Sequence, residues 1–274
     1  MYRRWLKQGI RGVIVLGGVI ALTSFSIDAT DTLRDSNTLL SQLVSSDQAP
    51  ASCPEGMVMV TASSDAFCID AYENALTENC PYREAHSVEE AKANTDNPNC
   101  QSFSMSGAPV ATYISEQFAQ TMCAKRGARL PTASEWHEAS LGTPDTEVCN
   151  TNGSRSLTDA YKECTSLYGV HDMVGNVWEW VAGGVVDGVY DGVTLASEGY
   201  VTAVDSTGLP IESAPNPDAQ FNSDYIWNKA AGSYAMMRGG YYGSGSDAGL
   251  YTTHAQVVAS YGSEATGFRC ALTP

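Results

Sequence analysis

The chain has 274 residues, enough for one large domain or two small ones, and 43% of them are apolar. Only 17% are charged, which excludes a solvated, disordered or coiled-coil protein. Four of the 15 bases lie in the first eleven residues and all 31 acids follow them, so the rest of the chain carries −20; such a body repels phosphate backbones, excludes nucleic acid as a partner and suits a divalent cation better.

Arg3, Arg4, Lys7 and Arg11 precede an apolar stretch from Gly12 to Phe25. A basic start followed by a short apolar run is the pattern of an export signal. It is shorter than the roughly 20 residues of a full membrane span. Two glycines and a one-sided charge flank argue against a buried core helix. Ile27-Asp28-Ala29 is a poor cleavage site, so residues 1–29 read as a signal peptide or an uncleaved N-terminal membrane anchor. Positive residues stay on the cytoplasmic side, which puts the body outside the cytoplasm in either case, with the membrane met through this segment only. Residues 30–52 are rich in Ser, Thr, Asp, Gln and Pro and read as a polar spacer.

Eight cysteines follow: Cys53, Cys68, Cys80, Cys100, Cys123, Cys149, Cys164 and Cys270. Their even number and the lack of a CxxC pair fit four disulfides in an oxidising compartment better than a zinc site. Spacing alone does not give their connectivity.

Within the body, Met57–Val60 and Phe67–Asp70 read as two strands of a hairpin. Residues 74–107 are polar and hold Cys80 and Cys100, which suggests a loop stapled across its base. A helix is predicted after the N-cap Ser115, with Phe118 and Met122 on one face and Gly127 beyond its end. Another is predicted after Pro131, where Thr132 and Glu135 have capping-box spacing. Downstream the glycine density rises and the strands look short. Pattern alone gives an irregular α+β domain over 53–274, with short strands, two main helices and much loop.

The run Tyr168–Trp180 places Asp172, Asn176 and Glu179 among apolar and aromatic residues. Calcium takes six to eight oxygens from carboxylates and carbonyls, and Asp172, Glu179 and the backbone near Gly175 could supply some. The alternative is that Asp172 and Asn176 cap turns while Glu179 pairs with an arginine such as Arg238 or Arg269. On spacing alone the alternative carries more weight. Asp187-Gly-Val-Tyr-Asp-Gly192 lacks the twelve-residue EF-hand pattern and reads as a turn.

Six stretches together carry a resemblance: Gly56–Val60, Pro109-Val110, Cys123–Trp136, Tyr168–Trp180, Arg238-Gly-Gly240 and Gly267–Ala271. In this order they resemble the formylglycine-generating enzyme (sulfatase-modifying factor) family, whose fold is an irregular C-type-lectin-like one, over about residues 53–272. The resemblance is specific for fold and less so for activity, since the family includes oxidases, sulfoxide synthases and binding proteins. It implies a Cys123–Cys270 disulfide, worth about 5 kcal/mol in the chain-entropy model. The other pairs are then guessed by proximity as Cys53–Cys68, Cys80–Cys100 and Cys149–Cys164. It also implies a structural calcium held by the side chains of Asp172 and Glu179 and the carbonyls of Gly175 and Val177, and so lifts calcium above its alternative. The family's second calcium site is not carried over, because that region is shortened here to the Cys149–Cys164 loop.

The departures bear on activity. The family's oxidase has two cysteines soon after the Arg-Gly-Gly motif, which bind copper and handle the substrate thiol. This chain has no cysteine between Cys164 and Cys270, so no copper is expected. The sulfoxide-synthase branch needs a histidine-rich iron site, whereas His86, His137, His171 and His254 are scattered. Glu116 stands where the family usually has Trp.

Tyr, Ser and Gly supply 12 of the 24 residues from Tyr241 to Glu264. That composition suits recognition: Tyr gives rigid contact area, while Ser and Gly give adaptable hydrogen bonding. The segment also loosely resembles the diversified C-terminal segment of the C-type-lectin-like variable proteins of diversity-generating retroelements. Its plainer reading is a glycine-rich loop that closes the fold. The candidate contact residues are Tyr241, Tyr242, Ser244, Ser246, Asp247, Tyr251, His254 and Tyr261. The expectation is an exported, calcium-stabilised, non-catalytic protein that binds an extracytoplasmic protein or glycan. Its rivals are a family enzyme acting on an extracytoplasmic protein, and a structural subunit of an envelope complex.

Overall fold

A computed structural model describes residues 52–61, 65–145 and 147–274. The N-terminal apolar segment and nearly all of the polar spacer lie outside the described residues. Among the described residues no helix is long and apolar enough to cross a membrane.

The expected hairpin is present. β1 (Met57–Val60) pairs antiparallel with β2 (Phe67–Asp70), and β14 (Ala271–Leu272) lies on the other side of β2. Every residue of this central strand is buried.

Residues 74–107 are more than a stapled loop. They contain β3 (Asn74–Leu76), α1 (Val88–Asp96) and β4 (Ser102–Ser104), with β3 and β4 paired antiparallel. Ser87 caps α1 by accepting the Glu90 N–H. The inward residues of α1 are Ala91, Asn94 and Thr95, so its buried face is largely polar. Asn94 exchanges hydrogen bonds with the backbone of Tyr82, at 2.9 and 2.7 Å. An apolar-periodicity test misses such a helix, because its inner face is satisfied by hydrogen bonds.

α2 (Glu116–Ala124) starts at Ser115, whose side chain accepts the Phe118 N–H. α3 (Ala133–Ser140) has both bonds of the capping box between Thr132 and Glu135. In place of two helices, three are described, each of eight or nine residues.

The rest builds a nine-stranded sheet, larger than short glycine-punctuated strands suggest. Its strands are β5 (Trp178–Val186), β6 (Val189–Tyr190), β7 (Val193–Thr194), β8 (Gly199–Val204), β9 (Pro210–Ala214), β10 (Tyr225–Asn228), β11 (Ser233–Arg238), β12 (Thr253–Val257) and β13 (Thr266–Gly267). The order is β7-β6-β5-β11-β12-β10-β8-β9, with β13 also on β5. Two tight turns join β5, β6 and β7. Asp187-Gly188 has φ 49° and 75°, and Asp191-Gly192 has φ 46° and 81°. Two consecutive positive φ values are what a type I′ hairpin turn requires, and Asp-Gly supplies them readily.

Four disulfides staple the domain: Cys53–Cys68, Cys80–Cys100, Cys123–Cys270 and Cys149–Cys164. The third ties α2 to the C-terminal segment.

At the centre lies a buried ion pair. Arg269 Nε donates to Glu179 Oε2 and Nη2 to Oε1, each at 2.6 Å. The remaining guanidinium donors reach the carbonyls of Asp70 and His171 at 2.9 Å. Trp136 Nε1 adds a third donor to Glu179, at 2.7 Å. The pair thus joins β5, α3, the β2 hairpin and the 168–180 run. Removing one partner leaves a buried charge uncompensated, which typically costs about 3–5 kcal/mol. Arg269→Met should therefore lower unfolding stability by about that much in oxidising denaturant titrations. Arg269→Met with Glu179→Met should recover a good part of the loss; no recovery would show that the charge is not what makes the single change costly.

Candidate functional site: an aromatic ribbon beside the C-terminal segment

Strand alternation places aromatic side chains on one face of the large sheet. Tyr225 and Trp227 are two apart on β10, while Ile226 between them is fully buried. Tyr225 lies opposite Tyr200 of β8, and Trp227 opposite His254 of β12. Trp178 begins β5.

These rings touch in sequence. Tyr200 meets Tyr225 edge-on at 5.0 Å between centroids, and Tyr225 meets Trp227 at 4.6 Å. Trp227 stacks on His254 at 5.6 Å, and both meet Trp178 edge-on at 5.6 and 5.5 Å. Trp178 then stacks on Tyr241 at 6.4 Å, and Tyr241 meets Tyr242 at 5.1 Å. All but the buried Trp178 are partly exposed. Such stacked and edge-to-face contacts hold the rings rigid while leaving part of each available.

Acids border the ribbon. The Tyr242 hydroxyl donates to Glu264 at 2.9 Å, and burial with this acceptor pushes its pKa up to about 12. Burial raises the pKa of Tyr225, and the Glu198 and Asp247 charges push it the same way. Burial holds His254 down at about 4, so it is a neutral ring over most of the pH range.

The segment 241–264 does not present all its candidates together. Tyr241, Tyr242 and His254 join the ribbon. The Ser244 hydroxyl accepts the Tyr241 N–H and so shapes the turn. Ser246 and Asp247 lie on a short 3-10 turn, Gly245–Asp247. Tyr251 faces inward against His137 and Phe221, at 5.3 and 5.4 Å. Tyr261 is exposed and takes part in no ring contact among the described residues. Tyr200, Tyr225 and Trp227 were missed by composition, since they come from strands remote in sequence. The Tyr-Ile-Trp alternation was the available signal.

The polar motif of Tyr168–Trp180 lies on the other side of β5. Asp172 is 2% exposed, has φ 58°, and accepts the Asp159 N–H at 2.6 Å. Burial pushes its pKa up to about 6. Asn176 sits between Asn150 and Glu73, donating to Glu73 at 2.8 Å and accepting from Asn150 at 3.1 Å. Burial also raises Glu73 well above the usual carboxylate range. Both oxygens of Glu179 are engaged by Arg269 and Trp136, so a calcium ion would compete with a buried guanidinium for them. Of the four expected ligands, Glu179 is thus the one already engaged, while Asp172, Gly175 and Val177 lie in the same run. Among the described residues no three His, Cys, Asp or Glu side chains are grouped to hold a metal ion.

An irregular C-type-lectin-like domain with a ring-lined face is the class that fold and site define. The chain belongs to the family described as the sulfatase-modifying factor enzyme 1-like domain, whose model matches residues 54–274. Among solved structures, the Major Tropism Determinant P3c variant is 18% identical, over 80% of this chain and 53% of its own, with a TM-score of 0.46. PvdO from Pseudomonas aeruginosa is 15% identical over 79% of this chain and 90% of its own, with a TM-score of 0.40. Treponema denticola variable protein 1 is 15% identical over 81% of this chain and 100% of its own, with a TM-score of 0.37. The chain thus spans about half the length of the tropism determinant it matches. No curated protein matches the chain.

His137 is likewise pushed down to about 4, by burial and then by the Arg238 charge. A histidine whose folded pKa lies below its unfolded value of about 6.5 contributes stability above that pH. That contribution is lost as the pH falls through the folded value. In a side-chain NMR titration both imidazoles should remain neutral at pH 5.5 and titrate near 4. A His254 midpoint near 6.5 would show a ring open to water, not packed between two tryptophans.

Proposed function

We propose that this protein is a non-catalytic ligand-binding module, exported and either membrane-anchored or secreted, that takes an extracytoplasmic protein or glycan across the aromatic ribbon and the segment 241–264. The observation that carries this reading is the partly exposed run of rings from Tyr200 to Tyr242. Tyr and Trp offer large amphipathic contact area at small entropic cost, and they dominate binding energy at recognition surfaces. The four disulfides support an oxidising, extracytoplasmic setting.

Family membership favours a second reading, an enzyme acting on an extracytoplasmic protein. All eight cysteines are in disulfides, so chemistry through a thiolate pair would first need one of these opened. Copper uptake together with oxidation of a cysteine peptide by the purified protein would establish that reading instead.

The ribbon is tested on glycan and peptide arrays. Trp227→Ala and Tyr242→Ala should each weaken capture of the bound ligand about tenfold or more, as at other aromatic hot spots. Leu157→Ala, an exposed residue elsewhere, should leave capture unchanged. Equal capture by all three variants would refute the ribbon as the binding face.

Structural calcium remains a proposal of its own. Because Glu179 is engaged by Arg269, the ligands left to it are Asp172 and the carbonyls of Gly175 and Val177. Calcium should raise the melting temperature of the wild type, and Asp172→Ala should abolish the rise. A wild type indifferent to calcium would refute the site.

A further inference from the structure

An open cavity of about 420 Å3 adjoins the turn at Gly245–Asp247, lined among others by Asp145, Glu147, Thr151, Asn152, Asn222 and Ser246. It has two carboxylates and no basic residue in its wall. Behind Asp145 lies Asp224, which is fully buried. Asp224 Oδ2 accepts the Tyr251 N–H at 2.7 Å, whereas Oδ1 has no donor.

That oxygen is directed at Asp145. A Cβ built on Gly249 would lie 1.8 Å from Asp224 Oδ1 and 2.6 Å from Asp145 Oδ2. Both oxygens therefore crowd the same point, and only glycine fits at 249. Asp145 Oδ2 also accepts the Asn222 amide at 3.2 Å. Two carboxylates facing each other in a buried place need a positive species between or beside them. Burial raises both pKa values, and the Asp145 charge pushes Asp224 further up. The surrounding groups are Arg238 of β11, whose charge acts on Asp224, the backbone N–H groups of Tyr251 and Leu250, and Glu147 at the cavity wall.

We infer that this cavity receives a positively charged organic group, the ammonium or guanidinium of a partner's lysine or arginine side chain, at Asp145. The inference rests on the reading above that 241–264 contacts a partner, and it names part of that partner's chemistry. Without a cation beside them, burial and the mutual repulsion of Asp145 and Asp224 favour a proton on the pair. When the cation takes its place at Asp145, that proton leaves to solvent. Binding is then linked to proton release and tightens as the pH rises through the range in which the pair holds its proton. The cavity is large for a bare metal ion and within the usual size of small-ligand sites.

The test is calorimetry on the full chain with L-argininamide and, separately, calcium chloride, at pH 5.5 and 7.5. L-argininamide should bind, several-fold more tightly at pH 7.5, with uptake of the released proton by buffer. Asp145→Asn should weaken it at least tenfold. Asp224→Asn places an amide donor against Asp145 and should keep binding while removing its pH dependence. Glu78→Gln, at a side chain 89% exposed, should change nothing and so controls for the overall negative charge. Equal binding by wild type and Asp145→Asn would overturn the inference, as would binding of calcium without L-argininamide. If L-argininamide fails while Trp227→Ala still abolishes ligand capture, only this inference falls. If Trp227→Ala leaves capture intact, the ribbon reading falls instead.

Discussion

The carboxylate of Glu179 can be buried only because Arg269 is buried with it. Each charge alone would carry a desolvation penalty of several kcal/mol. Together they hold both oxygens and three guanidinium nitrogens in hydrogen bonds that reach Trp136, Asp70 and His171. The elements so tied are short, and few would bury enough apolar surface to be stable by themselves. The pair ties them to one another, and the Cys123–Cys270 bond fixes the residue next to Arg269.

Strand alternation carries that constraint to the surface. Consecutive residues of a strand point to opposite faces. Glu179 is held inward, so Trp178 and Trp180 pack on the opposite side, within the cluster that includes Met237 and Phe268 and is flanked by Trp227 and Tyr241. The ribbon is therefore positioned by the buried pair one residue away, not by the loop that flanks it. Rings packed this way are held rigid by the strands that carry them.

Local chemistry was legible in the sequence. The β1–β2 hairpin, the Ser115 cap, the Thr132–Glu135 capping box and the Asp-Gly turns each depend on residues a few positions apart. α1 was not legible, because Asn94 and Thr95 face inward and leave no apolar stripe. The pairing within the sheet was not legible, because β10 lies between β8 and β12, two strands remote from it in sequence. For Glu179 the sequence offered calcium or an arginine; Arg269, 90 residues away, holds it in the structure. Composition drew notice to the tyrosines of 241–264 but could not give their direction. Tyr241 and Tyr242 join the ribbon, while Tyr251 turns to the core. The contributions of Tyr200, Tyr225 and Trp227 became visible only when strand register brought them beside His254.

Hydroxyl-radical footprinting measures the exposure of individual tyrosine and tryptophan rings, which is the quantity on which a ring-lined recognition face depends. It should be applied to the protein with and without a ligand recovered from a glycan or peptide array. Binding should protect Tyr200, Tyr225, Trp227, Tyr241 and Tyr242 while leaving the labelling of exposed Tyr82 and Tyr161 unchanged. Protection at Tyr82 or Tyr161 with none along the ribbon would contradict the account.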